Sequence, residues 1–148
     1  MTSPTREIRV EIPAKPEYLQ MVRAVVAAAA EVDADLDPQR IADLRLAVSE
    51  ATTNAIEAHV ATRSSERITI GLRLSADRIE VEVRDHGDGF DPSATPELPE
   101  PDDPARLLHE NGLGVKLMRV LADETEIVSG DDGTRVRMVV YVPQGRRH

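Results

Sequence analysis

Within SEATTNAIEAH, residues 49–59, a carboxylate at Glu50 and an amide at Asn54 stand four positions apart. On a helix that spacing makes them neighbours. Downstream, RDHGDGFDP sets Asp85 ahead of Gly87 and Gly89, and NGLGVK groups Gly112, Leu113 and Gly114. An Asn side-chain oxygen suits Mg²⁺, a hard ion that takes few protein oxygens and fills its shell with water and phosphate. A carboxylate one turn away can accept a proton from an attacking hydroxyl. An Asp at the end of a strand can accept a hydrogen bond from an exocyclic amine such as that of adenine. Glycine lets backbone approach a base or a phosphate, and a helix opening near Gly114 offers free N–H groups to anionic oxygens. Taken singly each motif has a plainer reading: a solvated helix face, a glycine turn, a helix start. In this order and together, they supply the needs of a magnesium-nucleotide site.

The elements that must hold these residues follow from periodicity. REIRVEI alternates, with Ile8, Val10 and Ile12 on one face, and predicts a strand ending at Pro13. PEYLQMVRAVVAAAAEV predicts a helix opened by Pro16, whose alanines favour helix and allow close packing. Asp37 as N-cap and Pro38 in the first turn predict a second helix running to about residue 60. Its core stripe is Ile41, Leu44, Val48, Ala51 and Ala55, with Glu50 and Asn54 roughly 120–180° from the middle of that stripe. ERITIGLRLS and DRIEVEVRD alternate and predict an antiparallel pair, with Ile79, Val81 and Val83 inward. GLGVKLMRVLADE resumes helical spacing through Val115, Leu117, Met118 and Leu121, and TEIVS, GDDG and TRVRMVVYV predict a closing hairpin. Between them, residues 91–111 hold five of the ten prolines and six acidic residues, which predicts a mobile loop, disordered over 92–105 without ligand. The expected fold class is α+β: a two-layer sandwich of a mixed, mostly antiparallel sheet with helices on one face.

Composition bounds the function. A chain of 148 residues, 41% hydrophobic, suits one domain over 1–148. Aromatics make up 2%, too few for base-stacking platforms, and a net charge of −9 repels polyphosphate backbones, so direct nucleic-acid binding is not expected. There is no Cys, the four His lack metal-ligand spacing, and the N-terminus has no apolar signal segment or membrane span. A cytoplasmic location is expected.

The three motifs resemble the N, G1 and G2 boxes of the GHKL superfamily, the Bergerat ATP-binding fold shared by histidine kinases, type II topoisomerases and heat-shock chaperones. More closely, LRLAVSEATTNAIEAH, VEVRDHGDGFDP and GLGVKLMRVLADETEI are similar to small bacterial anti-sigma factors that are also serine-protein kinases. The resemblance implies ATP and Mg²⁺, with Glu50 as general base, Asn54 as metal ligand and Asp85 as adenine reader. Gly87 and Gly89 would form the base-side loop, Gly112, Leu113 and Gly114 the triphosphate loop, and Thr134 would support adenine beside Asp85. Residues 91–111 would be the ATP lid, with Arg106 its fixed cation and His109 its titratable one; the lid's acidity lowers the expected phosphate affinity. The implied partners are a sigma factor and a STAS-domain anti-anti-sigma antagonist that is phosphorylated, and a homodimer is a further implied assembly. One departure stands out. The superfamily often has His or a basic residue four places after the Asn, where this chain has Ala58 followed by His59. His59 reads either as a packed or capping histidine or as the substitute for that residue. The alternative function is a GHKL-fold module that sequesters partners without transferring phosphate.

Overall fold

The computed structural model describes residues 5–33, 36–87 and 113–143. Strand β1, Arg6–Ile12, leads through a 3-10 turn at Pro16–Tyr18 into helix α1, Leu19–Asp33. Pro16 therefore opens the 3-10 turn, and the α-helix begins three residues later than its sequence signal. Helix α2, Pro38–Thr62, starts as expected: the Asp37 carboxylate accepts from the Arg40 N–H at 2.9 Å, and Pro38 occupies the first turn, where no N–H is needed. It ends at Arg63, which takes the left-handed conformation with φ 55° and lets Ser64 N–H cap the His59 carbonyl. Strands β2, Ile68–Leu74, and β3, Arg78–Arg84, precede helix α3, Leu113–Leu121; strands β4, Glu124–Gly130, and β5, Gly133–Tyr141, form the hairpin.

The strands form one sheet in the order β1-β2-β3-β5-β4, and every pairing is antiparallel. Among the described residues the expected mostly antiparallel sheet is antiparallel throughout. Each neighbouring pair is joined either by a short turn or by an excursion that returns in the opposite sense, so nothing among the described residues forces a parallel crossover. Ile68, Ile70, Leu72 and Leu74 of β2, Ile79, Val81 and Val83 of β3, and Val136, Met138 and Val140 of β5 form the inner face. Against it lie Val22, Val26, Ala29 and Ala30 of α1 and Leu44, Ala47, Val48, Ala51 and Ala55 of α2, all buried, with Met118 of α3. Full burial of a Leu or Val contributes about 2 kcal/mol, and the alanines let α1 come close to α2. Helices on one face of the sheet confirm the two-layer α+β reading.

The opposite face is charged. Arg73 pairs with Glu7 at 3.2 Å, Arg9 with Glu11 at 3.5 Å, and Arg137 with Glu80. Helix α2 is also tied to the sheet at its first turn, where Arg40 Nη2 donates to Asp123 Oδ2 at 2.7 Å and Tyr141 N–H donates to the same oxygen at 2.7 Å. Among the described residues, no helix is long and apolar enough to cross a membrane.

Candidate functional site

Asp85 follows directly on β3, where alternation turns its side chain to the helix side. It is a buried carboxylate, 6% exposed, and the backbone explains how it is held there. Oδ1 accepts two N–H groups, from Gly87 at 3.0 Å and from Thr134 at 3.1 Å, while the Asp85 N–H donates to the Thr134 carbonyl at 2.9 Å. These bonds stitch the end of β3 to the start of β5, 49 residues away, and fix the carboxylate's direction. No described residue donates to Oδ2, so both of the carboxylate's bonds within the described residues fall on Oδ1. Thr134, 3% exposed, shares a hydroxyl–hydroxyl bond of 2.9 Å with Ser129. Gly133 makes the close approach feasible: at φ +129°, a Cβ on it would fall 2.0 Å from the Asp85 carbonyl oxygen. Sequence reasoning missed Gly133 as a site residue, although GDDG marked it as a turn glycine.

The remaining candidate residues within the described part of α2 fall on the row Glu50, Asn54, Ala58, spaced by one turn, about 6 Å, at each step. Gly87 meets this row. A Cβ on Gly87 would sit 2.9 Å from Ala58 Cβ and 3.2 Å from the Ala58 carbonyl oxygen, so the glycine is what lets the segment after β3 lie on the helix. Ala58 is the small partner of that contact. Glu50 and Asn54 are half-buried rather than on an open face. Burial pushes the Glu50 carboxyl above its ordinary value, and its Oε2 is buried with no hydrogen-bond partner among the described residues. An orphan acceptor whose ionised form is disfavoured has the character of a proton acceptor awaiting a donor.

Of the sequence-derived residues, the structure brings Asp85, Gly87 and Thr134 together by hydrogen bonds. It aligns Glu50 and Asn54 on the helix face that reaches Gly87. Leu113 is the first residue of α3 and Gly114 the second. Gly89, Arg106, His109, Gly112 and the proposed lid 91–111 lie outside the described residues. His59 does not stand in for the residue at 58: it is 1% exposed, on the core stripe, with both ring nitrogens hydrogen-bonded to backbone. A hollow of about 330 Å³ over Gly71, lined by Arg9, Arg73, Glu80, Glu82 and Arg84, lies on the charged face of the sheet, across from Asp85, and belongs to a different surface.

Known proteins resemble this chain in sequence and in fold. Residues 12–140 match the histidine kinase-like ATPase domain. The serine-protein kinase RsbW of Oceanobacillus iheyensis is 31% identical over 140 residues, covering 93% of this chain and 87% of that protein. RsbW of Bacillus subtilis is 34% identical over 138 residues, covering 91% and 85%. Among solved structures, the RsbU and RsbW domains of a Mycobacterium tuberculosis protein share the fold with a TM-score of 0.66 at 24% identity, over 95% of this chain and 34% of that one. The helix that carries a carboxylate and an amide one turn apart, and the aspartate locked to a neighbouring strand beside it, are thus held in a known framework: the chain belongs to the histidine kinase-like ATPase domain family, among the relatives of the RsbW serine-protein kinases.

Proposed function

We propose that this chain is an ATP-dependent serine/threonine-protein kinase and anti-sigma factor, one domain over 1–148 with a lid at 91–111. The observation that carries the reading is the Asp85 carboxylate, buried and fixed by two backbone N–H groups with one oxygen left to accept a base's amine. Hydrogen bonds to a charged group in such a setting are worth about 1.5–3 kcal/mol. Gly87 and Thr134 complete the base side, Gly112, Leu113 and Gly114 take the phosphates, and Arg106 is the lid's cation. Mg²⁺, held by Asn54 with phosphate and water oxygens, would neutralise charge building on the phosphoryl group. Glu50 accepts the proton of the acceptor hydroxyl as its oxygen bonds to the γ-phosphorus; the bond to the β-phosphate oxygen breaks and ADP leaves with that electron pair. The acceptor is a serine or threonine of a STAS-domain antagonist, and the sequestered partner is a sigma factor.

Incubation with labelled ATP, Mg²⁺ and a STAS-domain protein tests the assignment. Label transfer is expected in the wild type, and Glu50→Gln is expected to lose about 10²–10⁴-fold of it while still binding ATP. Saturating ATP should also stabilise the wild type, by about 2.7 kcal/mol at a hundred times Kd. ATP binding without transfer supports a sequestration module; no binding at all sinks the nucleotide reading.

A further inference from the structure

His59 continues the core stripe of α2 one turn beyond Ala55, and an imidazole buried to 1% exposure must satisfy two ring nitrogens. Nε2 lies 2.7 Å from the His86 backbone nitrogen, and Nδ1 lies 3.0 Å from the Glu66 carbonyl oxygen. An amide N–H can only donate and a carbonyl can only accept, so the ring carries one hydrogen, on Nδ1, and presents Nε2 as the acceptor. The capped turn at Arg63, together with the Glu66 N–H donating to Ser64 Oγ at 3.2 Å, shapes the segment that brings Glu66 to the ring.

The His86 N–H belongs to the peptide unit that joins Asp85 to His86. The carbonyl of that same unit ends in the oxygen that a Cβ at position 133 would strike. One flat, rigid unit is therefore held at its N–H by His59, with its C=O in a space that only a glycine at 133 leaves open. Because the Asp85 Cα lies in that plane, fixing the plane limits where the Asp85 carboxylate can point.

We infer that His59 is a positioning residue for the nucleotide site: by accepting the His86 N–H, it locks the Asp85–His86 peptide and couples the base-reading end of β3 to the helix that bears Glu50 and Asn54. The inference rests on Asp85 reading the base. A carboxylate held in advance in the binding direction loses no ordering entropy when the base arrives, so its value appears in ATP affinity.

Two variants separate the ring's two bonds. His59→Gln keeps a carbonyl oxygen where Nε2 stands; His59→Asn keeps an N–H where Nδ1 stands. A role in stability alone would make both variants lose similar ATP affinity. The inference expects His59→Gln to bind ATP within about twofold of wild type and His59→Asn about five- to tenfold more weakly, the factor of one hydrogen bond. That loss should appear in KM for ATP rather than in kcat. In the wild-type chain, the His86 amide should exchange slowly with solvent; this reading does not depend on either variant folding. Equal losses in the two variants, or a wild-type His86 amide that exchanges as fast as an unprotected one, would overturn the inference. A wild type that binds no ATP would instead sink the assignment of Asp85, and His86 exchange would then decide alone whether His59 holds the peptide.

Discussion

At the scale of single residues, the proposed site rests on two carboxylates in different surroundings. Asp85 has its oxygen Oδ1 taken by backbone donors, so Asp85→Asn can keep those two bonds while presenting an NH₂ where the free oxygen stood. ATP affinity is expected to fall about ten- to a hundredfold, with little change in melting temperature, as read by calorimetric titration and thermal unfolding. A comparable fall in melting temperature would mean that the acid is chiefly structural. Glu50 lies at the other extreme. Burial raises its carboxyl above the ordinary value, so the folded chain binds that proton more tightly than the unfolded chain does. Its contribution to stability is therefore full below the unfolded-state value and is lost as pH rises through the raised folded one. Glu50→Gln, which does not titrate, should melt higher than the wild type at pH 7 without nucleotide, and the gap should close as pH falls into the carboxylate range. A gap independent of pH would contradict the orphaned, disfavoured charge.

At the scale of elements, the decisive contact is between the segment after β3 and α2. Gly87→Ala would press a methyl against Ala58, at an expected cost of about 1–3 kcal/mol and with loss of ATP affinity. Adding Ala58→Gly should recover part of that loss, because it removes the nearest atom; a double-mutant cycle on unfolding midpoints measures the coupling, and strict additivity would refute the contact. The helices and strands themselves were legible in the sequence. The α2 stripe and its Asp37 cap, the strand alternations and the hairpin are all local patterns, and each lies where the pattern puts it. What the pattern could not tell was distance in space. His59 falls on the same stripe as Ala55, yet its partner His86 is 27 residues on, and Asp85 and Thr134 are 49 apart. The 3-10 turn at Pro16 and the left-handed Arg63 were equally hidden, since proline suits either helix type in a first turn and most such caps carry glycine. Arg63→Gly is expected to raise stability by about 0.5–1 kcal/mol for that reason, as measured in urea.

For the molecule as a whole, sheet order sets where the structure holds firmest. β3 lies in the middle, paired on both sides, between β2 and β5, with β1 and β4 at the edges. α2 is fastened to this sheet near both of its ends, by Arg40 to Asp123 and by His59 to His86. Native-state hydrogen exchange should therefore be slowest in β2, β3 and β5 and faster in β1 and β4. Slowest exchange at an edge strand would speak against this strand order. The family resemblance suggested candidate residues from motif order, and the fold brings two of those distant motifs together: the segment after the central strand meets the long helix at Gly87 and Ala58.

The alternation that turns Asp85 and Thr134 toward the helices also turns their neighbours Arg84 and Arg135, opposite one another in the β3–β5 register, toward the far side. A slip of one residue between these strands would exchange an acid for a guanidinium at the place where we propose that a nucleotide's base is recognised. Misaligned chains would thus be barred from the ligand by charge as well as by shape, and ligand binding would itself select the correctly zipped sheet.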